Sequence, residues 1–513
     1  MKSGGIRKLV VAAAGAALVA GPLLGTLPSA RAVPAVAAPS CDWPTFGHDL
    51  GRSFASPAGC NTISDLTAPT LHPKWHVDTG SPVTAQPAVV GGTVYVGSAG
   101  GVFYAVDATS GTVKWTFNVT DQSQNDYGKI TSSAAVADVQ GSRVVVFGGG
   151  ATLYVLDAAT GQLLASQCVD PDPVRNCGSG SQTVEIESSP AVVAKGRGPA
   201  TIVVGMDFNE DRNVGRAGVL NFTLSHNANG WQLTPVWKYD PETHLTYTSD
   251  PLHAGGLGDG CGNVWSSPMV DAATNLVVFG IGNCDVPAAG VTESVNGIAL
   301  DTGVLRWSYE PRPDPNQADS LDLDFGATPN LLPSGRVGEG GKDGVYYSFG
   351  EDGTLNFAAP VATGSDIGGM IGSTALGKAN GKAAVFASSA FPFHTGQPDV
   401  SLQENLQNPG HATGLHAIDA ATGQKLWDAP AAPAYGAAVY SGGVVFLPDT
   451  FSFSMQAYDA NTGVPVWVFP LGQAPASPPA VTGNSIYFGS GVSEAGLPVL
   501  GSIGSIWGFQ TAL

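Results

Sequence analysis

From about residue 80 onward, short runs of alternating hydrophobic and polar residues recur, each closed by a turn signal. The first is Thr93-Val94-Tyr95-Val96-Gly97, then Phe103-Tyr104-Ala105-Val106-Asp107, then Thr109-Ser110-Gly111, then Val113-Lys114-Trp115. A period of two predicts half-buried strands, and the Gly positions between them predict tight turns. The order returns at Leu153–Asp157 with Gly161, at Ile298–Asp301 with Gly303 and Trp307, at His416–Asp419 with Gly423 and Trp427, and at Gln456–Asp459 with Gly463 and Trp467. In four of these five copies a Trp follows the Gly by four residues; the second has Ala165 there. Asp in this setting can accept hydrogen bonds from the turn backbone ahead of it, and Gly supplies positive φ.

Each unit opens on a small-residue strand. The openings are Pro87-Ala88-Val89, Ala134-Ala135-Val136, Pro190-Ala191-Val192, Pro268-Met269-Val270, Pro329-Asn330-Leu331, Thr374-Ala375-Leu376, Ala437-Ala438-Val439 and Pro479-Ala480-Val481. One such antiparallel sheet cannot bury both faces, so neighbours must stack around an axis, with the repeat tryptophans packed between them. The expected fold is all-β, an eight-bladed β-propeller over residues 71–513. The last unit lacks its own Trp-bearing outer strand, and Leu71–Val77, which contains Trp75, is expected to supply it and close the ring.

Composition narrows the class. The 513 residues carry 22 Lys and Arg against 41 Asp and Glu, a formal net charge of -19, with 69 Gly and 37 Pro. Abundant Gly and Pro suit many short strands, and the acidic balance argues against a nucleic-acid partner. Lys2, Arg7 and Lys8 precede an apolar run from Leu9 to Leu27, and Ala30-Arg31-Ala32 offers small residues for cleavage. Residues 1–32 therefore read as a secretory signal peptide, the alternative being an uncleaved anchor. No other apolar stretch is long enough to span a bilayer, so a secreted, periplasmic or cell-envelope location is expected.

In an exported chain, six cysteines read first as disulfides. They fall in sequence-local pairs, Cys41 with Cys60, Cys168 with Cys177, and Cys261 with Cys284. The first pair lies in residues 33–70, expected to be an N-terminal extension. There is no Cys-x-x-Cys-His, so covalently attached haem is ruled out.

The unit Ala-Val-Asp-Ala-Thr-Ser-Gly-Thr-Val-Lys-Trp, residues 105–115, resembles the blade motif of pyrroloquinoline quinone (PQQ) dependent alcohol dehydrogenases. The resemblance covers about residues 41–513, and polyvinyl alcohol dehydrogenases look most similar. It implies a propeller holding PQQ and calcium, acting on an alcohol and passing electrons to a separate acceptor such as a cytochrome. Scaffold propellers of barrel assembly share the repeat without a cofactor, so a non-catalytic secreted binding or scaffold module stands as the alternative. Fold alone does not separate the two.

Four segments depart from the repeat. Trp265, in Gly262-Asn263-Val264-Trp265, precedes an opening strand and matches the family's quinone-floor tryptophan, the alternative being a plug for the channel. Asn283, in Gly282-Asn283-Cys284, and Glu210, in Asp207-Phe208-Asn209-Glu210, match the family's calcium-ligating Asn and Glu, although a solvated acidic loop equally explains the second. Asp324, in Asp322-Leu323-Asp324-Phe325-Gly326, matches the family's general base and a further metal ligand; a turn-capping Asp is the bland alternative. Lys342 sits where the family carries Arg or Lys beside the quinone carbonyl. Position 326 is Gly where lanthanide-using relatives carry a second Asp, which favours calcium. The family's adjacent Cys-Cys pair is missing, and Lys129 stands where relatives place a cofactor-contacting Arg, with a solvated Lys as the alternative.

Overall fold

The alternating segments fold as strands because one set of side chains enters a sheet-to-sheet core while the other meets a neighbouring blade or solvent. A computed structural model describes residues 41–60, 62–123, 127–170, 177, 184–208, 215–283, 292–312, 322–391, 413–492 and 503–512. The expected signal peptide lies outside the described residues. Among the described residues the strands form eight antiparallel sheets, seven of four strands and one of five, each ordered from an inner to an outer edge. The first blade runs through Ala88–Val90, Thr93–Gly97, Val102–Asp107 and Val113–Asn118. The third is extended, pairing Gly218–Asn227 with Gly230–Asp240 and adding Leu245–Tyr247. The eighth takes its outer strand from the start of the chain: His72–Asp78 pairs with Ser505–Gln510, from His72 opposite Gln510 to Asp78 opposite Ser505. This is the eight-bladed propeller, closed by an N-terminal strand, that the repeat predicts.

The repeat residues act as expected, and one does more. Asp107 accepts the amides of Thr109 and Ser110 at 3.0 and 2.9 Å, and Asp459 accepts those of Asn461 and Thr462 at 2.9 and 2.8 Å. The turn Gly supplies positive φ, 72° at Gly161, and also receives the indole of the preceding blade. A Cβ on Gly161 would stand 2.5 Å from Trp115, and one on Gly463 would stand 2.7 Å from Trp427. Each of these indoles donates across the same gap, Trp115 to the Ala158 carbonyl at 3.2 Å and Trp427 to that of Ala460 at 3.0 Å. The Trp-to-Gly contact is thus the blade-to-blade joint.

Residues 42–56 are not a peripheral extension. They circle one end of the central channel and bond to the inner strands of seven blades and to the segment that enters the third. Backbone amides of Val89, Val136, Val270, Leu331, Leu376 and Tyr440 donate to the carbonyls of Trp43, Pro44, Leu50, Gly51, Ser53 and Phe54 at 2.7–2.9 Å. Ser56 Oγ reaches the Val481 carbonyl at 3.4 Å in the eighth blade. The third blade is met by Arg52, whose Nη2 donates to the Ser189 carbonyl at 3.2 Å while Nε donates to that of Pro268 at 2.9 Å. An inner strand is a sheet edge with unpaired amides, and this segment pairs an amide on six of those edges. Arg52 is fully buried, and that burial pulls its pKa down to about 10. Disulfides join Cys41 to Cys60 and Cys168 to Cys177. Cys261 is disulfide-bonded too, and its expected partner Cys284 lies outside the described residues.

Candidate active site

A single repeat position makes the floor of the channel. Four residues before the first strand residue of successive blades stand Thr84, Thr131, Glu187, Trp265, Gly326, Ile371, Tyr435 and Ala476, and all line a cavity of about 230 Å³ that Phe46 of the circling segment lines as well. Seven of them, all but Gly326, also line a second cavity of about 440 Å³. Among the described residues, Trp265 is the one indole that lines both. Its ring is tightly clasped: a Cβ on Gly326 would lie 1.5 Å from Cη2, and one on Gly282 would lie 3.0 Å from Nε1. The larger cavity is of a size suited to one flat tricyclic ligand.

The wall above Trp265 is built from loops that leave second strands or enter inner strands. Asn283 and Gly282 follow Leu276–Gly280, Asp324 precedes the fifth blade, and Lys342 follows Val337–Gly340. The Asn283 amide donates to Asp324 Oδ1 at 2.6 Å, and the Lys342 amide donates to the Asp324 carbonyl at 2.9 Å. Lys342 Nζ lies 2.8 Å from Asp324 Oδ2, 2.8 Å from Asp322 Oδ1 and 5.8 Å from the centre of the Trp265 ring. Asn263 fixes the approach to Trp265 by accepting the Phe208 amide at 3.0 Å. Apolar and aromatic lining comes from Ile367, Ile371, Tyr435, Ala476 and Val492.

Charge is distributed unevenly. Among the described lining residues, Glu187, Asp207, Asp322, Asp324 and Asp366 face Lys342 as the one cation. Burial works against the Lys342 ammonium, but Asp324 and Asp322 more than offset it and its pKa is raised. Burial, then the Asp324 carboxylate, push the Asp322 carboxyl upward, while the Lys342 ammonium at 2.8 Å pulls it back toward its charged form. A surplus of hard oxygen donors around one ammonium suits a multivalent cation. Behind this wall Glu339 is fully buried, and burial holds its carboxyl well above the usual range. A Cβ on Gly280 would meet Glu339 Oε1 at 2.3 Å and the Phe325 carbonyl at 2.1 Å, so Glu339 lies beneath both ligand-bearing loops.

Of the residues singled out in the sequence, Trp265, Asn283, Asp324 and Lys342 come together around one cavity. Glu210 lies outside the described residues, although Asp207, three residues before it, reaches the cavity. Lys129 does not line the cavity. Its amide is tied to the Ala99 carbonyl at 2.8 Å and its ammonium is turned to the Ser123 carbonyl, while Tyr127 lines the cavity instead. Glu187, Asp322 and Asp366 are lining residues that motif matching missed; counting back four residues from each opening strand finds the first of them.

A family model described as outer membrane protein assembly factor BamB matches residues 41–210 and 411–499, just over half of the chain. Among curated proteins, the chain is 23% identical to a polyvinylalcohol dehydrogenase of Pseudomonas sp., over 88% of this chain and 73% of that one. It is 24% identical to a polyvinylalcohol dehydrogenase of Sphingopyxis sp. (strain 113P3), over 82% of this chain and 65% of that one. A quinohemoprotein alcohol dehydrogenase of Comamonas testosteroni is 25% identical over 55% of this chain, and only 40% of its own length is spanned. A solved europium-containing methanol dehydrogenase shares the fold, with a TM-score of 0.67 at 18% identity, covering 91% of this chain and 98% of that one. The chain belongs to the PQQ-repeat propeller family, among its members similar to PQQ-dependent alcohol dehydrogenases.

Proposed function

We propose that this chain is an exported, PQQ- and calcium-dependent alcohol dehydrogenase that hands its electrons to a separate acceptor such as a cytochrome. The observation that carries the reading is the Asp324–Lys342 pair, at 2.8 Å, on the wall of a cavity floored by Trp265. The residues present fit the groups the family implies. The clasped indole offers a flat face for stacking, and Asn283, Asp324 and Asp207, which line the same cavity, offer hard oxygens for calcium. When bound, the quinone supplies the hydride acceptor and calcium makes it more electrophilic.

The chain's own groups supply the rest. Asp324 accepts the hydroxyl proton of the alcohol at its carboxylate, and its orientation is fixed by the Asn283 amide. Lys342 places a positive charge over the Trp265 floor, where it stabilises negative charge that develops on a ligand stacked there. Ile367, Ile371 and Val492 add apolar surface to the lining of the same cavity. Similarity to polyvinylalcohol dehydrogenases supports an alcohol substrate, including a polymeric one. Export is supported by the disulfides, which persist in oxidising compartments. Among the described residues no helix is long and apolar enough to cross a membrane.

The deciding experiment is reconstitution of the chain with PQQ and calcium, followed by thermal unfolding and alcohol-dependent dye reduction. Selective binding to the folded state raises the unfolding midpoint. A folded chain whose midpoint does not move at saturating PQQ and calcium would leave the binding or scaffold module as the better account.

A further inference from the structure

We propose that Asp322 is a positioning residue that holds the Lys342 ammonium so that Asp324 can be shared with a bound cation; this rests on the calcium reading above. Both oxygens of Asp324 are committed: Oδ1 accepts the Asn283 amide at 2.6 Å, and Oδ2 lies 2.8 Å from Lys342 Nζ. A cation drawn to Asp324 and Asn283 must therefore approach an oxygen already occupied by an ammonium. With Asp324 alone as partner, Lys342 would compete with the cation for that oxygen and repel it. Asp322 Oδ1, also 2.8 Å from Nζ, gives the ammonium a second carboxylate on which to rest.

The geometry supporting Asp322 is independent of Lys342. Asp322 has φ +48°, a left-handed conformation uncommon for a residue with a side chain and best tolerated by Asp and Asn. The next residue is anchored at both backbone groups. The Leu323 amide donates to Glu293, and its carbonyl accepts Arg312 Nη2 at 3.1 Å. Arg312 is itself held by Glu293 at 3.1 Å and Asp343 at 2.6 Å. Asp322 is about a third exposed, whereas Asp324 and Lys342 are 4% and 9% exposed, so the second seat lies on the solvent side of the first. The ammonium can lean toward Asp322 without leaving the cavity wall.

The test is a double-mutant cycle read as calcium affinity of the PQQ-free full chain by titration calorimetry, using wild type, Asp322→Asn, Lys342→Met and the double variant. Asn tolerates φ +48° as Asp does, so Asp322→Asn is expected to fold, which thermal unfolding checks. Asp322→Asn is expected to weaken calcium binding by about tenfold in the wild-type background and by less than about twofold once Lys342 is Met. Lys342→Met alone is expected to tighten it. Equal weakening in both backgrounds would mean that Asp322 acts on calcium through its charge alone, and would overturn the proposal. Unchanged or tighter binding by Asp322→Asn would overturn it as well. If no variant binds calcium, wild type included, the calcium reading falls and takes this proposal with it, an outcome distinct from binding without coupling.

Discussion

Gly326 lies directly against the indole of Trp265, so close that a methyl group on it would stand 1.5 Å from Cη2. Gly326 is not at positive φ, so what selects glycine there is the ring. Gly326→Ala is therefore expected to displace the Trp265 ring from its place in the cavity lining. The expected outcome is a loss of about tenfold or more in PQQ affinity, with about 1–3 kcal/mol lower stability from overpacking. Absorbance titration with PQQ and urea unfolding of the ligand-free chain measure the two effects. Wild-type PQQ affinity in a folded Gly326→Ala variant would remove Trp265 as the floor.

Asp324→Asn keeps the shape of the side chain and an oxygen for the Asn283 amide, but it removes the proton acceptor. Alcohol turnover is expected to fall by roughly 10²–10⁴-fold, with PQQ binding weakened less. Lys342→Ala is expected to slow turnover too, through loss of the cation over the floor. Dye-linked steady-state rates beside the PQQ absorbance check both. An Asp324→Asn protein that oxidises alcohols at the wild-type rate eliminates the base assignment.

Glu339 gives a pH prediction whose sign follows from its raised carboxyl pKa. A carboxyl that holds its proton more tightly folded than unfolded stabilises the fold fully below the unfolded value, near about 4.3. That contribution is lost progressively as pH rises toward the raised folded value. Glu339→Gln, which is neutral at every pH, is expected to flatten this decline. Urea midpoints of both proteins from about pH 4.5 to 8 test it. Parallel curves would show that Glu339 is ionised in the folded chain.

Arg52 donates to carbonyls that enter the third and fourth blades, and to the Phe46 carbonyl at 2.7 Å and Thr45 Oγ1 at 3.2 Å. Replacement by Met strands several buried carbonyls. A loss of about 2–4 kcal/mol is expected, read from the urea midpoint. A loss below about 0.5 kcal/mol would show that the circling segment does not need its guanidinium.

The propeller was legible because its signals are local and repeated: alternation, the Asp turn, and Trp four residues after Gly. The closing strand was legible as well, because one unit lacked an outer strand that Leu71–Val77 could supply. Residues 42–56 were not, since Trp43, Arg52 and Phe54 carry no period and their bonds run to strands scattered over the whole chain. At the candidate site, Trp265, Asn283, Asp324 and Lys342 were found by motif, and the structure brings them to one cavity. Asp322 was passed over because its significance lies in sharing one ammonium with Asp324 across 20 residues. Lys129 matched a position but is turned by the backbone around Gly128, at φ 112°, toward Ser123.

The circling segment has a consequence for the order of assembly. Residues 42–56 are made early, yet Phe54 and Ser56 find their partners only at Tyr440 and Val481, and His72–Asp78 finds its own at Ser505–Gln510. None of these bonds can form until nearly the whole chain has been made. Phe54, Ser56 and His72–Asp78 are therefore among the last to be satisfied although they are made early, and until then the inner edges of the late blades stand open to wrong partners. Folding of this propeller is a race between ring closure and aggregation, settled by whichever reaches those edges first.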